Sequence, residues 1–296
     1  MAILRGKYMK EIEVRAYAKI NLTLDVTGER PNGYHEVRMI MQNINLYDRL
    51  TIKQIVKNDI ILSTGTAPIP SGEDNLICKA CKAFFEATGL SSGLFIEIDK
   101  RIPVAAGMAG GSADAAATLQ GLNELFETGL TSEELCKIGA KLGADIPFCI
   151  IGGTVLAEGI GEILTPLNPA PDCHLLIVKP AQGISTKLVY DELAPSSELK
   201  HPDTDAMIAA INAGSIKDVA SNLRNVLESV TIPHVPVIDD IKNEMVELGA
   251  LGSLMSGSGT TVFGIFDSKA KAEAAFYKFK GGEFGKQTYL TNFITP

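Results

Sequence analysis

The stretch Arg101–Leu122, "RIPVAAGMAGGSADAAATLQGL", constrains this chain most, because it runs from an apolar strand end through a glycine cluster into an alanine-rich helix former. Unpaired N–H groups and a partial positive charge at a helix N-terminus stabilise an anion without a basic side chain. We expect Gly107, Gly110 and Gly111 to take positive φ and to let the backbone approach a phosphate. Ser112 adds a hydroxyl for phosphate or Mg²⁺. The glycine loop, residues 103–111, therefore indicates a phosphate site.

Two familiar nucleotide motifs are excluded for this loop. A Walker A sequence ends in G-K-[ST], which is missing, and the G-x-G-x-x-G spacing of a dinucleotide fingerprint does not fit. A turn followed by tight helix packing is the commoner explanation of an arbitrary glycine cluster. The loop alone leaves both interpretations open.

Charge and composition exclude several partner classes. The 27 lysines and arginines are scattered and the net charge is −8, so we expect no nucleic-acid partner. The longest apolar run, residues 146–157, is interrupted by glycines and falls short of the ~20 residues that span a bilayer. The N-terminal "MAILRGKYMKEIEV" becomes charged at once, which is not typical of a signal peptide. We expect a cytoplasmic protein without membrane contact, and the sequence does not predict its oligomeric state.

The five cysteines favour free thiols, since their number is odd. Cys78 and Cys81 form a C-x-x-C, but no second pair or histidine pair completes a zinc site. Their helical surroundings predict buried thiols instead.

The hydrophobic pattern predicts α+β architecture in two domains. Period-two strands fill residues 11–62 around a tight Pro-Asn-Gly turn, helices follow near 75–88, 112–126 and 131–143, and residues 144–167 are predicted to form a strand pair. The proline-rich "NPAPDC" places the boundary between domains 1–170 and 171–296. The second domain is predicted to contain a strand, a helix near 185–193, helices over 205–248, a strand pair, a further helix and a closing strand.

Three segments resemble the motifs of one enzyme family. "AYAKINLTLDV", "IPVAAGMAGGSADAA" and "MSGSGTTVFGIF" are similar, in that order, to the first, second and third motifs of the GHMP kinases, which phosphorylate small metabolites with ATP. The resemblance implies the two-domain GHMP kinase fold, with an N-terminal unit of the ribosomal protein S5 domain 2-like type and a ferredoxin-like C-terminal unit. It also implies ATP and Mg²⁺ as cofactors.

Two further segments narrow the acceptor. "AKINLTLDVTGERPNGYHEVRMIMQ" and "LGADIPFCIIGGTVLAEGIGE" resemble the branch of the family that phosphorylates the 2-hydroxyl of a cytidine-diphosphate-linked methylerythritol (CDP-methylerythritol), in the non-mevalonate isoprenoid pathway. The alternatives are another small alcohol, such as homoserine or mevalonate, or an inactive relative that binds metabolites as a regulator. Tyr34 with His35 argues against the first alternative, and Lys19 with Asp145 argues against the second.

The resemblance assigns Lys19 and Asp145 to the reacting hydroxyl. Taken alone, each would be interpreted as an ordinary surface or turn charge. Phosphoryl transfer requires mainly positioning and charge stabilisation, with a late acceptor for the hydroxyl proton. We expect Asp145 to orient the hydroxyl and accept its proton late, and Lys19 to offset negative charge on the phosphoryl group.

The remaining site residues are also implied by the resemblance. Asn75, for which a helix cap is an equally good interpretation, and Lys100 are expected near the adenosine, and Ala113 replaces a serine that many relatives carry. The expected contacts of the ATP phosphates are Pro103, Val104, Ala105, Ala106, Gly107, Met108, Ala109, Gly110, Gly111, Ser112 and Ala113, with Ser112 as the one named Mg²⁺ ligand. The expected substrate contacts are Asn21, Tyr34, His35, Tyr190, Gly257, Ser258 and Gly259, in which Tyr34 and Tyr190 stack on cytosine and His35 binds its polar edge.

Overall fold

The computed structural model describes residues 10–31, 33–284 and 287–294. Asn32 of the predicted Pro-Asn-Gly turn lies outside these residues. The described residues form two compact units. The first consists of residues 10–16, 47–101 and 111–150, and the second of residues 17–31, 33–46, 102–110, 151–284 and 287–294. These units are not consecutive in the chain, and the predicted boundary near residue 170 stays a prediction.

The first unit is a sheet with helices. Its strand order is β3-β4-β2-β1, in which β4 pairs antiparallel with β2 and parallel with β3. The strands β1 and β2 are long enough to contribute residues to both units. The elements are β1 (Glu11–Glu29), β2 (His35–Ile55), β3 (Ile60–Ser63), α1 (Leu76–Thr88), β4 (Gly93–Asp99), α2 (Gly110–Leu125), α3 (Ser132–Ala140) and α4 (Ile146–Ile151).

Small residues allow α2 to lie close to this sheet. A Cβ atom at Gly121 would come within 3.0 Å of the Ile52 side chain and 3.1 Å of Val14. The alanines at 113 and 115–117 are buried in the same way. The alanine-rich stretch therefore serves close helix-to-sheet packing as well as helix propensity.

The second unit contains two sheets. One sheet has the strand order β6-β5-β2-β1-β8. The other has the order β11-β7-β10-β9, in which all neighbouring strands are antiparallel, and α9 and α10 pack against it. The elements are β5 (Thr154–Glu158), β6 (Ile163–Pro166), β7 (His174–Lys179), α5 (Thr186–Asp191), the 3₁₀ turn Ser196–Glu198, α6 (Thr204–Asn212), α7 (Ile216–Ser221), β8 (Arg224–Asn225), α8 (Glu228–His234), α9 (Val237–Glu247), β9 (Gly252–Met255), β10 (Val262–Phe266), α10 (Lys269–Gly281) and β11 (Gln287–Thr291).

Most predicted elements are confirmed. Helix α3 begins with a capping box, in which Thr131 and Glu134 bind each other's backbone N–H. The strand pair predicted over 144–167 is wrong in its first part, because Ile146–Ile151 forms the short helix α4. A brief apolar run does not distinguish a strand from a buried helix, and Pro147 suits a first helical turn. Gly152 and Gly153, at φ +71° and +77°, then end the helix, and the true strand begins at Thr154.

Two further sequence predictions have definite outcomes. Cys78 and Cys81 are free, buried thiols of α1, as predicted. The helices predicted over 205–248 are interrupted by the two-residue strand β8, whose residues pair in parallel with Thr23 and Leu24 of β1. Within the described part of the chain, no helix has the length and apolarity needed to cross a membrane.

Candidate active site

The glycine loop is shaped by one glycine and two alanines. Gly107 has φ +70°, and a Cβ atom there would lie 2.1 Å from the backbone oxygen of Ser256. Ala105 and Ala109 also have positive φ, at 50° and 54°, which L-residues other than glycine rarely adopt. The prediction of positive φ is thus confirmed for Gly107.

For Gly110 and Gly111, the same prediction is wrong. Helix α2 begins at Gly110, two residues earlier than predicted, so both glycines have helical backbone. The N–H groups of Gly110, Gly111 and Ser112 therefore belong to the first helical turn, where no intrahelical acceptor is available. This arrangement suits an anion, and the phosphate contacts assigned to the loop stay a prediction.

The turn at residues 256–259 lies against the glycine loop. Gly257 and Gly259 take φ +58° and +95°, and the Ser256 hydroxyl donates to the Gly107 carbonyl oxygen over 3.0 Å. Ser258 is buried, and its hydroxyl lies 2.7 Å from that of Thr186 at the start of α5. The predicted Gly-Ser-Gly turn, residues 257–259, thus contacts both the loop and α5.

Lys19 is buried on β1, with 5% of the residue exposed. Its Nζ donates to the amide oxygen of Asn21 over 2.7 Å, and the Asn21 amide nitrogen lies 3.2 Å from the Met39 sulfur. Among the described residues of its own unit, no carboxylate lies within ion-pair distance of this ammonium. A buried cation whose described partner is neutral favours the arrival of an anionic group.

Asp145 lies in the first unit, in the turn between α3 and α4. Its backbone oxygen accepts from the N–H of Cys149, so the residue is held at the start of α4. The side chain is half-buried. The structure brings Lys19 and Asn21 together, while the pairing of Lys19 with Asp145 stays a prediction.

Lys100 lies in the first unit between two buried carboxylates. Its Nζ donates to Asp48 and, over 2.9 Å, to Asp114 of α2, and the Arg101 N–H donates to Asp48 over 2.5 Å. Burial raises the pKa of Asp114 to about 7, against the opposing effect of Lys100 and with a smaller rise from Asp48. Neither aspartate was predicted from the sequence, although a charge within "SADAAAT" was a signal for Asp114.

A cavity of about 370 Å³ lies beside Lys100 in the same unit. Its volume is in the range of ligand pockets. The residues that line it are Arg49, Thr51, Thr64, Gly65, Thr66, Ala67, Glu97, Ile98, Asp99 and Lys100. The cavity gives space for a ligand next to Lys100, whose predicted contact with adenosine stays a prediction.

Asn75 caps helix α1. Its side-chain oxygen accepts from Ile77 N over 2.8 Å and its amide nitrogen donates to the Pro70 oxygen over 2.6 Å. The cap interpretation is therefore confirmed, and the predicted ATP contact stays a prediction beside it.

Aromatic side chains from the predicted cytidine site are brought together in the second unit. The rings of His35 and Tyr190 lie 5.0 Å apart between centroids, tilted by 43°. Tyr34 is 58% exposed, which is high for a large aromatic residue. These residues come from the start of β2 and from α5, so the structure joins two segments that are 155 positions apart in the chain.

No group of three histidine, cysteine or acidic side chains could hold a metal ion within the described residues. Ser112, the predicted Mg²⁺ ligand, is half-buried in the first turn of α2. Mg²⁺ commonly binds through few protein ligands together with substrate phosphates and water. A single hydroxyl beside the predicted phosphate site fits that mode.

Comparison with known proteins gives consistent matches. The family model for the N-terminal domain of GHMP kinases matches residues 75–153, and the model for their C-terminal domain matches residues 207–282. The 4-diphosphocytidyl-2-C-methyl-D-erythritol kinase of Lachnoclostridium phytofermentans is 55% identical, over 97% of this chain and 98% of the relative.

Solved structures match over nearly the full length. A crystal structure of 4-(cytidine 5'-diphospho)-2C-methyl-D-erythritol kinase has a TM-score of 0.83 at 30% identity, covering 96% of this chain and 100% of the other. A homoserine kinase from Cytophaga hutchinsonii has a TM-score of 0.75 at 19% identity, over 100% of this chain and 97% of the other, and supports the fold alone.

Proposed function

The chain belongs to the GHMP kinase family, and from this membership we propose that it transfers the γ-phosphoryl group of ATP to the 2-hydroxyl of 4-diphosphocytidyl-2-C-methyl-D-erythritol. The family and the two-domain α+β fold predicted from the sequence are confirmed. The predicted kinase class and the non-mevalonate pathway agree with the full-length relatives. ATP is the phosphoryl donor, and the acceptor is a small molecule.

The observation that carries the proposal for the reacting centre is the burial of Lys19 beside a neutral amide. A buried ammonium whose described partner is neutral interacts strongly with a negative phosphoryl group, because the surroundings screen it poorly. Asn21 fixes the direction of the ammonium. In our proposal, Lys19 stabilises the charge that spreads over the transferring phosphoryl group.

Asp145 has the second role in the proposed reaction. Its carboxylate would hold the acceptor hydroxyl in line with the phosphorus and take the proton late in the transfer. A carboxylate suffices for this step, because the hydroxyl becomes acidic only as its bond to phosphorus forms. The test is therefore loss of turnover without loss of nucleotide binding in Asp145→Asn.

The nucleotide would bind along the glycine loop. The first-turn N–H groups of α2 would donate to its phosphates, and the Ser112 hydroxyl would join the shell of Mg²⁺, which screens phosphate charge when bound. Asn75 and Lys100 are proposed to border the adenosine, and the cavity beside Lys100 supports that placement.

The acceptor would be selected by its cytosine. Tyr34 and Tyr190 offer ring faces, and His35 lies next to Tyr190, where it can bind a polar base edge. Gly257, Ser258 and Gly259 would close over the acceptor phosphates. We further propose a cytoplasmic enzyme without nucleic-acid or membrane partners, in line with the scattered basic residues.

The experiment that tests this function is ADP release by the purified protein with each candidate acceptor in turn. We expect turnover with the cytidylyl substrate and none with homoserine or mevalonate. Turnover of either of these alone would overturn the acceptor assignment. Near-normal turnover by a folded Asp145→Asn variant would remove Asp145 from the chemistry.

A further inference from the structure

Asn225 is a buried residue of the short strand β8, which no sequence motif singled out. Its amide nitrogen donates to two backbone oxygens, Met255 at 2.9 Å and Gly257 at 2.8 Å. Its side-chain oxygen accepts from the N–H of Leu227 at 3.0 Å. Both hydrogens of the amide are therefore used to hold the segment that enters the Gly-Ser-Gly turn.

The segment 255–257, which Asn225 binds, is in turn hydrogen-bonded to the glycine loop. Ser256, between the two carbonyls that Asn225 binds, donates its hydroxyl to the Gly107 oxygen over 3.0 Å. One residue further, the Met108 oxygen accepts from the backbone N–H of Lys19 over 3.3 Å. A continuous series of hydrogen bonds thus connects Asn225 with the loop and with the strand of Lys19.

The backbone of residues 256–257 lies in close contact with the backbone of the glycine loop at Gly107. A Cβ atom at Gly107 would lie 2.1 Å from the Ser256 oxygen, and one at Gly257 would lie 2.9 Å from the Gly107 oxygen. Backbones this close transmit a displacement instead of absorbing it, because packed atoms do not compress. A shift of the turn therefore moves the loop.

We propose that Asn225 is a positioning residue, which sets the glycine loop for the nucleotide phosphates through the turn at Ser256 and Gly257. The inference rests on the proposed function, since it takes the loop as the phosphate site. In this role, Asn225 itself touches neither substrate nor nucleotide. Its effect comes from the two carbonyls that it fixes.

The test is calorimetric titration of ADP into the full-length wild type and Asn225→Asp, at pH 8 and pH 6. A carboxylate at position 225 keeps the acceptor for Leu227 but faces two carbonyls without a donor. We expect ADP to bind about tenfold more weakly to this variant at pH 8. Position 225 is buried, and burial raises the pKa of a carboxyl group. Partial protonation at pH 6 should therefore restore one donor, and the deficit relative to the wild type should shrink.

Asn123→Asp is the matched control. Asn123 also holds a turn, by donating to the Leu130 oxygen and accepting from Leu130 N, each over 2.9 Å, but it does so at the far end of α2. We expect this variant to lose stability and to bind ADP like the wild type. An equal loss of ADP affinity in both variants, or a deficit of Asn225→Asp that is the same at both pH values, would overturn the inference.

Ser256→Ala provides a milder test that does not depend on the folding of Asn225→Asp. It removes the hydroxyl that binds the Gly107 oxygen and should weaken ADP binding about threefold. Unchanged ADP affinity in this variant would overturn the connection between turn and loop. A wild type that binds ADP but does not phosphorylate the acceptor would instead overturn the proposed acceptor and leave this inference standing.

Discussion

Two buried lysines of this protein have opposite surroundings. Lys19, in the second unit, has a neutral amide as its described partner, whereas Lys100, in the first unit, lies between the carboxylates of Asp48 and Asp114. Their exposed fractions are similar, 5% for the Lys19 residue and 6% for the Lys100 side chain. Burial therefore does not distinguish them, and the charge of the neighbours does.

The difference shows how one residue type serves two purposes. A buried ammonium between two carboxylates is already neutralised, so removing it leaves buried negative charge and lowers the free energy of unfolding. An ammonium beside an amide keeps its charge available to an incoming anion. Lys100 thus has the surroundings of a structural ion pair that borders a cavity, and Lys19 those of a group that acts on a ligand.

The largest effect is expected for Lys100→Met at pH 8. The free energy of unfolding should fall by about 3–5 kcal/mol, because Asp48 and Asp114 remain buried without their cation. Chemical denaturation measures it. The control is Lys53→Met, which breaks an exposed pair with Glu11 and should cost less than about 1 kcal/mol. Similar losses in both variants would show that the buried cluster contributes no more than a surface pair.

Lys19→Met should act on turnover instead. We expect the kcat of ADP release to fall at least ~10²-fold, the scale of removing one preorganised electrostatic group. The free energy of unfolding should change less than in Lys100→Met, since one amide oxygen loses its partner instead of two carboxylates. A variant with normal kcat and a stability loss as large as that of Lys100→Met would make the two lysines equivalent.

Asn21→Asp would give Lys19 the surroundings of Lys100. A carboxylate in place of the amide, 2.7 Å from Nζ, neutralises the ammonium before a phosphoryl group arrives. We expect kcat to fall at least about tenfold, as for the loss of one charge-assisted contact, while the variant stays folded. Steady-state ADP release measures this, with the exposed Asn45→Asp as control. Unchanged kcat would show that a neutral partner for Lys19 is not required.

The two lysines also differ in how much of their surroundings the sequence predicts. The motif around "AKIN" predicted Lys19 at the reacting centre, and the neighbour two positions away, Asn21, lies on the same face of β1 because side chains alternate along a strand. The surroundings of Lys100 were not predictable in this way. Asp48 and Asp114 are 66 positions apart and meet only because β2 and α2 pack in one unit.

Local rules were also insufficient where packing decides backbone geometry. The sequence predicted positive φ for three glycines, but in the structure Ala105 and Ala109 take that conformation while Gly110 and Gly111 are helical. Glycine permits positive φ without requiring it, and the start of α2 depends on its packing. Asn225 was missed for a related reason, since a two-residue strand inside a helical region leaves no periodic signal.

A pH dependence of the free energy of unfolding belongs to Lys100's partner Asp114. Its pKa is raised to about 7 from the usual 3.8, mainly by burial, so the folded state keeps a proton that the unfolded state releases between about pH 4 and pH 7. In this window, its contribution to the free energy of unfolding falls as pH rises, by at most about 1.4 kcal/mol per pH unit. Asp114→Asn should remove this slope, and denaturation from pH 5 to pH 8 measures it. The exposed Asp99→Asn, as control, should keep the wild-type slope, and a wild-type slope in Asp114→Asn would assign the titration to another group.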